Sequence, residues 1–424
     1  MKIKILLLFL LAPVIIFAQN YTLDELLGLA MENNTTLKQS QINLDISRAR
    51  LHSARINYLP DLSAGLSRNE IIKYDTRYDR LHGSDSLSTT ADNAYFTISK
   101  SIALNNVSYF SNKDASHNYT LATIANEMQI QDILYRIINS YITVLENQKR
   151  IELQERNIIV QENIVSESRS LYRQNKITQT QLQQSEINLL NARISLLNAQ
   201  NTLSINRTRL FDLVNVDDEE KDFDEVNIYT EDSDFQRELN IDQIYRVREQ
   251  EETVNKLRTS IQSTKLDFLP QLNLQYRFNR NLDSNEYRTD GNTSHTIGLS
   301  LSYSLNSVFR NHYSYKIDRL LQDQNSLKTS QLIRDITLEY NQYLEELNYL
   351  QQLDILLESR MQQAIENLAI AQQRYRLGLE TQLDLERANY ENLEAQKARE
   401  DNHYQLIRTK LNIDNLLSNR LYEY

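Results

Sequence analysis

Two stretches of nearly 70 residues, from about 107 to 174 and from about 308 to 377, contain neither proline nor glycine. Because these two residue types begin most turns, each stretch is predicted to form one continuous helix. At about 1.5 Å per residue, a helix of this length extends roughly 100 Å. Folds made of many short elements are therefore excluded, and the chain must be organised around a few very long helices.

The second of these stretches spaces its apolar residues three and four positions apart, which is typical of a coiled-coil seam. A long helix inside a large globular core, the alternative, would be apolar around more of its circumference. The long helices are therefore predicted to form coiled coils. The seam residues are Ile333, Ile336, Tyr340, Tyr343, Leu347, Leu350, Leu357, Met361, Ile365, Leu368, Ala371 and Tyr375.

Each long stretch ends in a similar block, Tyr172 to Leu182 in the first half and Tyr375 to Leu385 in the second. Asn175 and Gly378 stand just past the predicted helix ends, and both residue types readily adopt the left-handed conformation that reverses a chain there. A threonine that can cap a returning helix follows each of them. The predicted caps and their third helical positions are Thr178 with Gln181, and Thr381 with Asp384.

A second repeated block, an aromatic residue followed by Leu-Pro-x-Leu, begins at Tyr58 and again at Phe268. The two repeated blocks thus occur in the same order in both halves, and the chain is interpreted as an internal duplication. The first structural repeat is predicted at 19–216 and the second at 239–424, joined by an acidic linker at 217–238. The linker reads as a solvated segment with one short strand at about 226–229. Its acidic residues do not have the spacing of a calcium-binding EF-hand.

After each proline of these blocks, the apolar spacing changes from helical to strict alternation. Each half has two such segments of about 9 to 11 residues, long enough to cross a bilayer as strands. In the second half Leu272, Leu274, Ile297, Leu299 and Leu301 share one face, and mostly serine, threonine and asparagine lie between them. The predicted strands are about 61–73, 93–104, 271–282 and 295–305, and the predicted helices after them are about 107–174, 179–216, 308–377 and 382–418.

The first 18 residues have a basic start, an apolar run from Ile5 to Phe17, and Ala18 at the predicted cleavage point. This is the pattern of a secretory signal peptide, since a membrane anchor needs a longer apolar run of about 20 residues. No later segment approaches 18 continuous apolar residues. The mature chain is therefore expected either to be soluble outside the cytoplasm or to meet a membrane through strands.

Composition excludes several functional classes. The chain has no cysteine, which excludes a disulfide framework, a thiolate metal site, a thiol nucleophile and a lipid-modified N-terminal cysteine. Its formal net charge of −11 argues against nonspecific binding to nucleic acid. The six histidines form no close helical pair, and no Gly-rich phosphate loop or Gly-x-Ser-x-Gly motif is present. We therefore expect no enzymatic activity, cofactor or bound metal.

Four strands with one apolar face cannot close on themselves, because a barrel needs about eight strands. A membrane tolerates no open sheet edge, so several chains must pool their strands if the sheet lies in a membrane. The small polar residues of the other face suit a water-filled lumen. The alternative is a soluble extracytoplasmic coiled-coil scaffold without transport, which would leave the strand pairs unexplained.

With these features together, the chain resembles the TolC family of outer-membrane efflux proteins over essentially the whole mature sequence. The block from Tyr375 to Leu385, followed by Ala388 and Leu393, is the most specific part of the resemblance. The family implies a mainly α fold with membrane β: a homotrimer whose twelve-stranded β-barrel takes four strands from each chain and stands on an α-helical periplasmic tunnel.

The resemblance also implies a function and partners. The expected function is the outer-membrane exit duct of a tripartite efflux or secretion system in a Gram-negative bacterium. The implied partners are a periplasmic adaptor and, through it, an inner-membrane transporter. Drug, metal and protein cargo all remain open, since the inner-membrane partner largely selects what passes.

The resemblance places the gate and the adaptor contact at the two hairpin tips. Gln181 stands where characterised members have an acidic residue, Glu380 where they have a basic one, and Arg387 where they have a second aspartate. Threefold symmetry would gather three Asp384 side chains into a cation-binding ring, with Arg387 offsetting part of the charge; helix capping is the alternative role of Asp384. The candidate residues are Tyr172, Asn175, Thr178, Gln181, Tyr375, Gly378, Glu380, Thr381, Asp384 and Arg387.

Overall fold

The structure, a computed structural model, describes residues 20–72, 88–103, 107–224, 238–281, 293–419 and 421. The predicted signal peptide at 1–18 and a short strand considered within the linker at 226–229 lie outside these residues. The helices are α1 (Leu23–Asn33), α2 (Thr35–Ile56), α3 (Val107–Arg173), α4 (Gln179–Val214), α5 (Tyr245–Leu266), α6 (Leu305–Arg376) and α7 (Gln382–Leu416), with a 3-10 turn at Ile241–Gln243. The strands are β1 (Asp61–Ile72), β2 (Ser88–Ala103), β3 (Gln271–Asn281) and β4 (Thr293–Ser302).

Two strands differ in extent from the sequence-based expectation. β2 begins at Ser88 rather than at about 93, because its ladder with β1 continues to the pair Ile72 and Ser88. β4 ends at Ser302 rather than at about 305, because the chain already turns into α6. The backbone N–H of Ser307 donates to the carbonyl oxygen of Ser304 at 3.1 Å, which closes the first helical turn.

The chain divides into two compact units. The first unit comprises Met1–Ser40, Glu127–Ile244 and Arg334–Tyr424, and the second comprises Gln41–Asn126 and Tyr245–Ile333. The first unit is helical, and the second contains the strands. Among the described residues, no helix is both long enough and apolar enough to pass through a membrane.

The described strands of the second unit form one antiparallel sheet in the order β1-β2-β3-β4. Residues directly opposite one another in such a sheet point to the same face. Its register therefore separates an apolar face from a polar face across all four strands, as predicted. Two adjacent rows of the apolar face are Leu62, Ile98, Tyr276, Ile297 and Ala64, Phe96, Phe278, His295, and the polar row between them is Ser63, Thr97, Arg277, Thr296. The apolar face also carries one lysine, Lys100, in the row of Leu274 and Leu299.

The core of the first unit lies where α1 packs against α3 and α4. Tyr141 of α3 is fully buried in it, and its hydroxyl lies 2.8 Å from the carbonyl oxygen of Asp224. The segment before α1 joins this core through a parallel bridge between Tyr21 and Phe223. In that bridge the N–H of Tyr21 donates to the carbonyl oxygen of Asp222 at 2.8 Å. The start of the described chain is thereby fastened to the segment that follows α4.

The long helices of the first unit pack side by side, with α3 between α4 and α7, and with α6 against α7. Side-chain hydrogen bonds and ion pairs join each pair of neighbouring helices. The contacts between α3 and α4 are Glu162–Arg193 and Arg169–Glu186, those between α3 and α7 are Asn157–Asn389 and Gln161–Glu386, and those between α6 and α7 are Glu358–Arg399 and Asp354–Asn402.

Candidate functional site: the two hairpin tips

The first tip joins α3 to α4 through a left-handed residue and a capping box. Asn175 has a φ of 58°, and the N–H of Lys176 donates to the carbonyl oxygen of Leu171 at 2.9 Å, which closes the end of α3. Thr178 then caps α4: its Oγ1 accepts from the N–H of Gln181 at 3.3 Å. The Gln181 Oε1 accepts in return from the N–H of Thr178 at 2.8 Å. The turn thus provides hydrogen-bond partners for backbone groups at the end of α3 and the start of α4.

The second tip joins α6 to α7 by the same plan. Gly378 has a φ of 74°, a conformation in which any Cβ would be strained. The N–H of Leu379 donates to the carbonyl oxygen of Arg374 at 2.9 Å. Thr381 caps α7 by accepting from the N–H of Asp384 at 3.2 Å, and its hydroxyl donates to the Asp384 carboxylate at 2.5 Å.

The two hairpins are joined within one chain by a small apolar cluster around Tyr375. Tyr375 is only 2% exposed, and its hydroxyl lies 2.9 Å from Oγ of the fully buried Ser168. Beside this contact, Arg376 of α6 pairs with Glu167 of α3. The buried members of the cluster are Ile164, Leu171, Leu368, Ala371, Tyr375, Leu385 and Ala388.

Burial raises the pKa of Tyr375 above its ordinary value, although the hydrogen bond with Ser168 opposes the shift. The negative charges of Glu167 and Glu386 raise this pKa further. The hydroxyl therefore stays protonated throughout the physiological pH range and keeps its hydrogen bond to Ser168. Tyr172, the equivalent residue of the first tip, is 39% exposed instead. The two tips are thus alike in backbone and different in the role of their tyrosines.

The charged candidates find partners close to their own positions. Glu380 lies 2.8 Å from Nε of Arg374, on the other side of the Gly378 turn. Arg387 pairs with Glu391 at 3.0 Å, one turn further along α7. Within one chain the i,i+4 spacing directs the Arg387 side chain to Glu391, while Asp384 is held by Thr381. That Arg387 offsets part of the charge of a trimeric Asp384 ring stays a prediction.

Sequence reasoning missed the groups that bind the tips together. Glu167 and Ser168 lie in the middle of a uniformly polar helical stretch, and no local motif distinguishes them. Arg374 and Arg376 flank Tyr375 at the start of the repeated block, and this excess of positive charge was the available signal. Among the residues that the structure describes, no group of three or more His, Cys, Asp or Glu side chains is placed to hold a metal ion.

Comparison with known proteins decides the family. The family model described as outer membrane efflux protein matches residues 26–216 and 245–419, which include both hairpins and all four strands. The chain belongs to the outer membrane efflux protein family. The resemblance to TolC-family channels is thereby confirmed. A comparison with curated protein sequences finds no significant match for this efflux protein.

Solved structures share its fold. The outer membrane protein VceC from Vibrio cholerae is 16% identical with a TM-score of 0.81, and the match covers 94% of this chain and 97% of VceC. The CmeC outer membrane channel of Campylobacter jejuni is 14% identical with a TM-score of 0.81, covering 93% and 85%. The open state of the Neisseria gonorrhoeae MtrE channel is 16% identical with a TM-score of 0.79, covering 94% and 89%.

Family membership gives the efflux protein its general function, which is an exit duct at the outer membrane that extends into the periplasm. The family and these three structures are membrane proteins of the efflux-channel type rather than enzymes. This is consistent with the expectation that the chain has no catalytic activity.

Proposed function

We propose that three copies of this chain assemble into the outer-membrane duct of a tripartite system, which takes substrate from a periplasmic adaptor and an inner-membrane transporter. The proposal rests on the observation that both units have surfaces suited to contact with a second copy. These surfaces are the edge strands β1 and β4 and the rows of exposed apolar side chains on α4 and α6. In this assembly three four-stranded sheets close one twelve-stranded barrel, and the long helices form the tunnel.

The sheet of the second unit supports this proposal through its two free edges. β1 and β4 each pair on one side only among the described strands. Unpaired backbone groups at a sheet edge are costly in hydrocarbon, and joining β4 of one copy to β1 of the next removes every edge at once. Ile297 and Leu301 on β4 are 77% and 65% exposed, as expected for side chains that face lipid.

The helix α6 supports the proposal through rows of exposed apolar side chains. In the second unit these residues are 4 or 7 positions apart, and in the first unit they are 7, 11 or 14 positions apart, so each row follows one face of the helix. Each of these side chains is more than half exposed. The rows are Phe309, Tyr313, Leu320 and Leu327 in the second unit, and Leu338, Tyr349, Leu356 and Ile370 in the first.

A complementary row lies on α4 of the first unit, with positions three and four apart. Ile187, Leu190, Ile194 and Leu197 are between 48% and 65% exposed there. We assign the α4 row of one copy to the α6 row of the next. Such a head-to-tail contact uses two different surfaces, and a threefold rotation between successive copies closes it into a ring.

Intermolecular disulfides test this assignment in a chain that has no cysteine of its own. Ile187→Cys on α4 and Ile370→Cys on α6 lie at similar distances from their hairpin turns, so the double variant should form a covalent trimer on mild oxidation. The control pairs Ile370→Cys with Ile159→Cys, an exposed position on the middle helix α3. Denaturing electrophoresis should show covalent trimer only for the first pair; equal yields from both pairs would contradict the ring.

The tips are proposed as the gate and the adaptor contact. Leu377, Leu379 and Leu383 of the second tip are 64%, 67% and 77% exposed, which leaves an apolar surface at the end of the hairpin. Exposed apolar patches of this kind mark contact surfaces. A crosslinking side chain introduced in place of Leu379 should trap a bound protein in cells. Identification of the trapped protein should show that it is a periplasmic adaptor.

The Asp384 ring remains a proposal for the same tips. Three carboxylates brought to a threefold axis repel one another and offer a site for cations. Asp384→Asn should therefore relieve the block of single-channel current by divalent cations added at the periplasmic side, while the trimer stays intact. Thr381→Val, which removes the capping hydroxyl but keeps the carboxylate, is the matched control. Identical block in Asp384→Asn and the wild type would confine Asp384 to capping.

A further inference from the structure

The polar face of the sheet carries very little charge. The pairing of the strands shows which side chains share this face, and in the described strands most of them are serine, threonine, asparagine or glutamine. The two charged members of this face in the described strands are Asp61 and Arg277. Asp61 is the first residue of β1, at the end where α2 joins the sheet, whereas Arg277 lies in the middle part of β3.

The position of Arg277 along β3 corresponds to the apolar interior of the membrane. Its chain neighbours Tyr276 and Phe278 point to the opposite, apolar face, in rows that also contain Ile297 and Phe96. A side chain at this level that points away from lipid meets the water of the proposed lumen.

The charge of Arg277 is left open to solvent. Its side chain is exposed, and no ion pair or hydrogen bond joins it to another of the described residues. Asp61 is two strands away, and neighbouring strands lie about 4.8 Å apart, so the two backbones are separated by about 10 Å or more. Tyr95 of the same face leans onto β1 instead, where a Cβ on Gly65 would lie 2.5 Å from its hydroxyl oxygen.

We propose that Arg277 makes an anion-binding ring in the lumen of the barrel, which takes the carboxylate or phosphate group of a passing solute. Threefold symmetry brings three guanidinium groups to one level of the lumen. Each stays charged and offers N–H donors in a planar fork that matches a carboxylate or a phosphate. The ring rests on the proposed trimeric duct and adds a substrate class to it, namely solutes that carry a negative group.

The side chains around Arg277 suit a bound oxyanion. Thr97 and Thr296 stand on either side of it in its row, and Gln275 and Asn279 precede and follow it on the same face of β3. Their hydroxyl and amide groups can donate to further oxygens of the anion without adding charge. The local field at this level of the lumen therefore favours anions, although the whole chain has a net charge of −11.

The reactivity of an introduced cysteine tests the ring in detergent, without any transport assay. Thr296→Cys places a thiol directly opposite Arg277, at a Cβ separation of about 5 Å, in a chain that has no cysteine of its own. Mass spectrometry compares the labelling rates of an anionic and a cationic methanethiosulfonate reagent of similar size. Their ratio cancels any change in the reactivity of the thiol itself. At low salt, adding Arg277→Gln should lower the ratio of anionic to cationic labelling about fivefold, and about 1 M salt should remove most of this difference.

Arg280→Gln, added to Thr296→Cys, is the matched control. Arg280 is also exposed, lies three residues along the same strand, and shares the opposite face with Leu66 and Ala94. Its loss should leave the labelling ratio unchanged. The ring is overturned if Arg277→Gln leaves the ratio unchanged, if Arg280→Gln lowers it as much, or if Thr296→Cys reacts with neither reagent.

Channel current separates the ring from the duct. Under a salt gradient, Arg277→Gln should shift the reversal potential towards cation permeability, and Arg280→Gln should not. A labelling ratio that depends on Arg277 in a protein that passes no current would contradict the proposed duct and leave the anion site at Arg277 standing. Current through a protein whose labelling ratio ignores Arg277 would support the duct and overturn the ring.

Discussion

Ile297→Arg should abolish assembly in the outer membrane. Ile297 lies in the row formed with Leu62, Ile98 and Tyr276, and Leu274 and Phe278 of β3 lie on the same face in the rows on either side. An arginine on the lipid face near the middle of a membrane strand costs about 2–4 kcal/mol, and a trimer incurs this cost three times. The variant should be lost from the outer-membrane fraction, as measured by immunoblotting after membrane separation.

Ser300→Arg is the matched control for this substitution. It introduces the same charge on the same strand, three residues away, on the face that Ser300 shares with Asn273. A side chain there meets water in the proposed lumen, so the variant should assemble normally. If both variants assemble alike, the assignment of the two faces is wrong, because a register shift of one residue exchanges them.

Tyr141→Ala should cause the largest loss of stability in the first unit. Tyr141 is fully buried, packs against Phe223, and places its hydroxyl near the carbonyl oxygens of Asp224 and Tyr21 at 2.8 and 3.1 Å. Truncating a buried aromatic residue costs about 3–5 kcal/mol, and the carbonyl oxygen of Asp224 also loses this donor. The carbonyl oxygen of Tyr21 keeps the N–H of Asp224 at 3.2 Å. Urea unfolding of the detergent-solubilised protein should show a much lower midpoint for this variant.

Two further variants separate the contributions at Tyr141. Tyr141→Phe keeps the ring and removes the hydroxyl, so its loss should be about 1–3 kcal/mol, the cost of leaving a buried acceptor unpaired. Tyr390→Ala removes a tyrosine that is 64% exposed and should change the midpoint little. A loss for Tyr390→Ala as large as that for Tyr141→Ala would contradict the assignment of the core.

Local patterns in the sequence predicted most of the fold. The end of α6 was predictable because Gly378 supplies a left-handed residue and Thr381 a cap within the next turn. The strands were predictable where apolar alternation is strict, as from Leu272 to Phe278. The start of β2 was not, because residues 88–92 read Ser-Thr-Thr-Ala-Asp and have no alternation.

The contacts that hold the tips together depend on tertiary structure and could not be predicted. Ser168 and Tyr375 are 207 residues apart, and each is ordinary for a long polar helix. The same is true of Gln161 and Glu386, which are 225 residues apart. Only the antiparallel packing of α3 and α7 brings an amide and a carboxyl group together, and no period in the sequence reports their register.

Mass and conductance, measured on one preparation, test the proposed duct most directly. Protein purified in detergent from the outer-membrane fraction should have a mass three times that of the 49.9 kDa chain, less its predicted signal peptide. The same preparation, added to a planar lipid bilayer, should produce discrete single-channel current steps. A monodisperse monomer that extracts without detergent and passes no current would contradict the trimeric duct and favour a soluble coiled-coil scaffold.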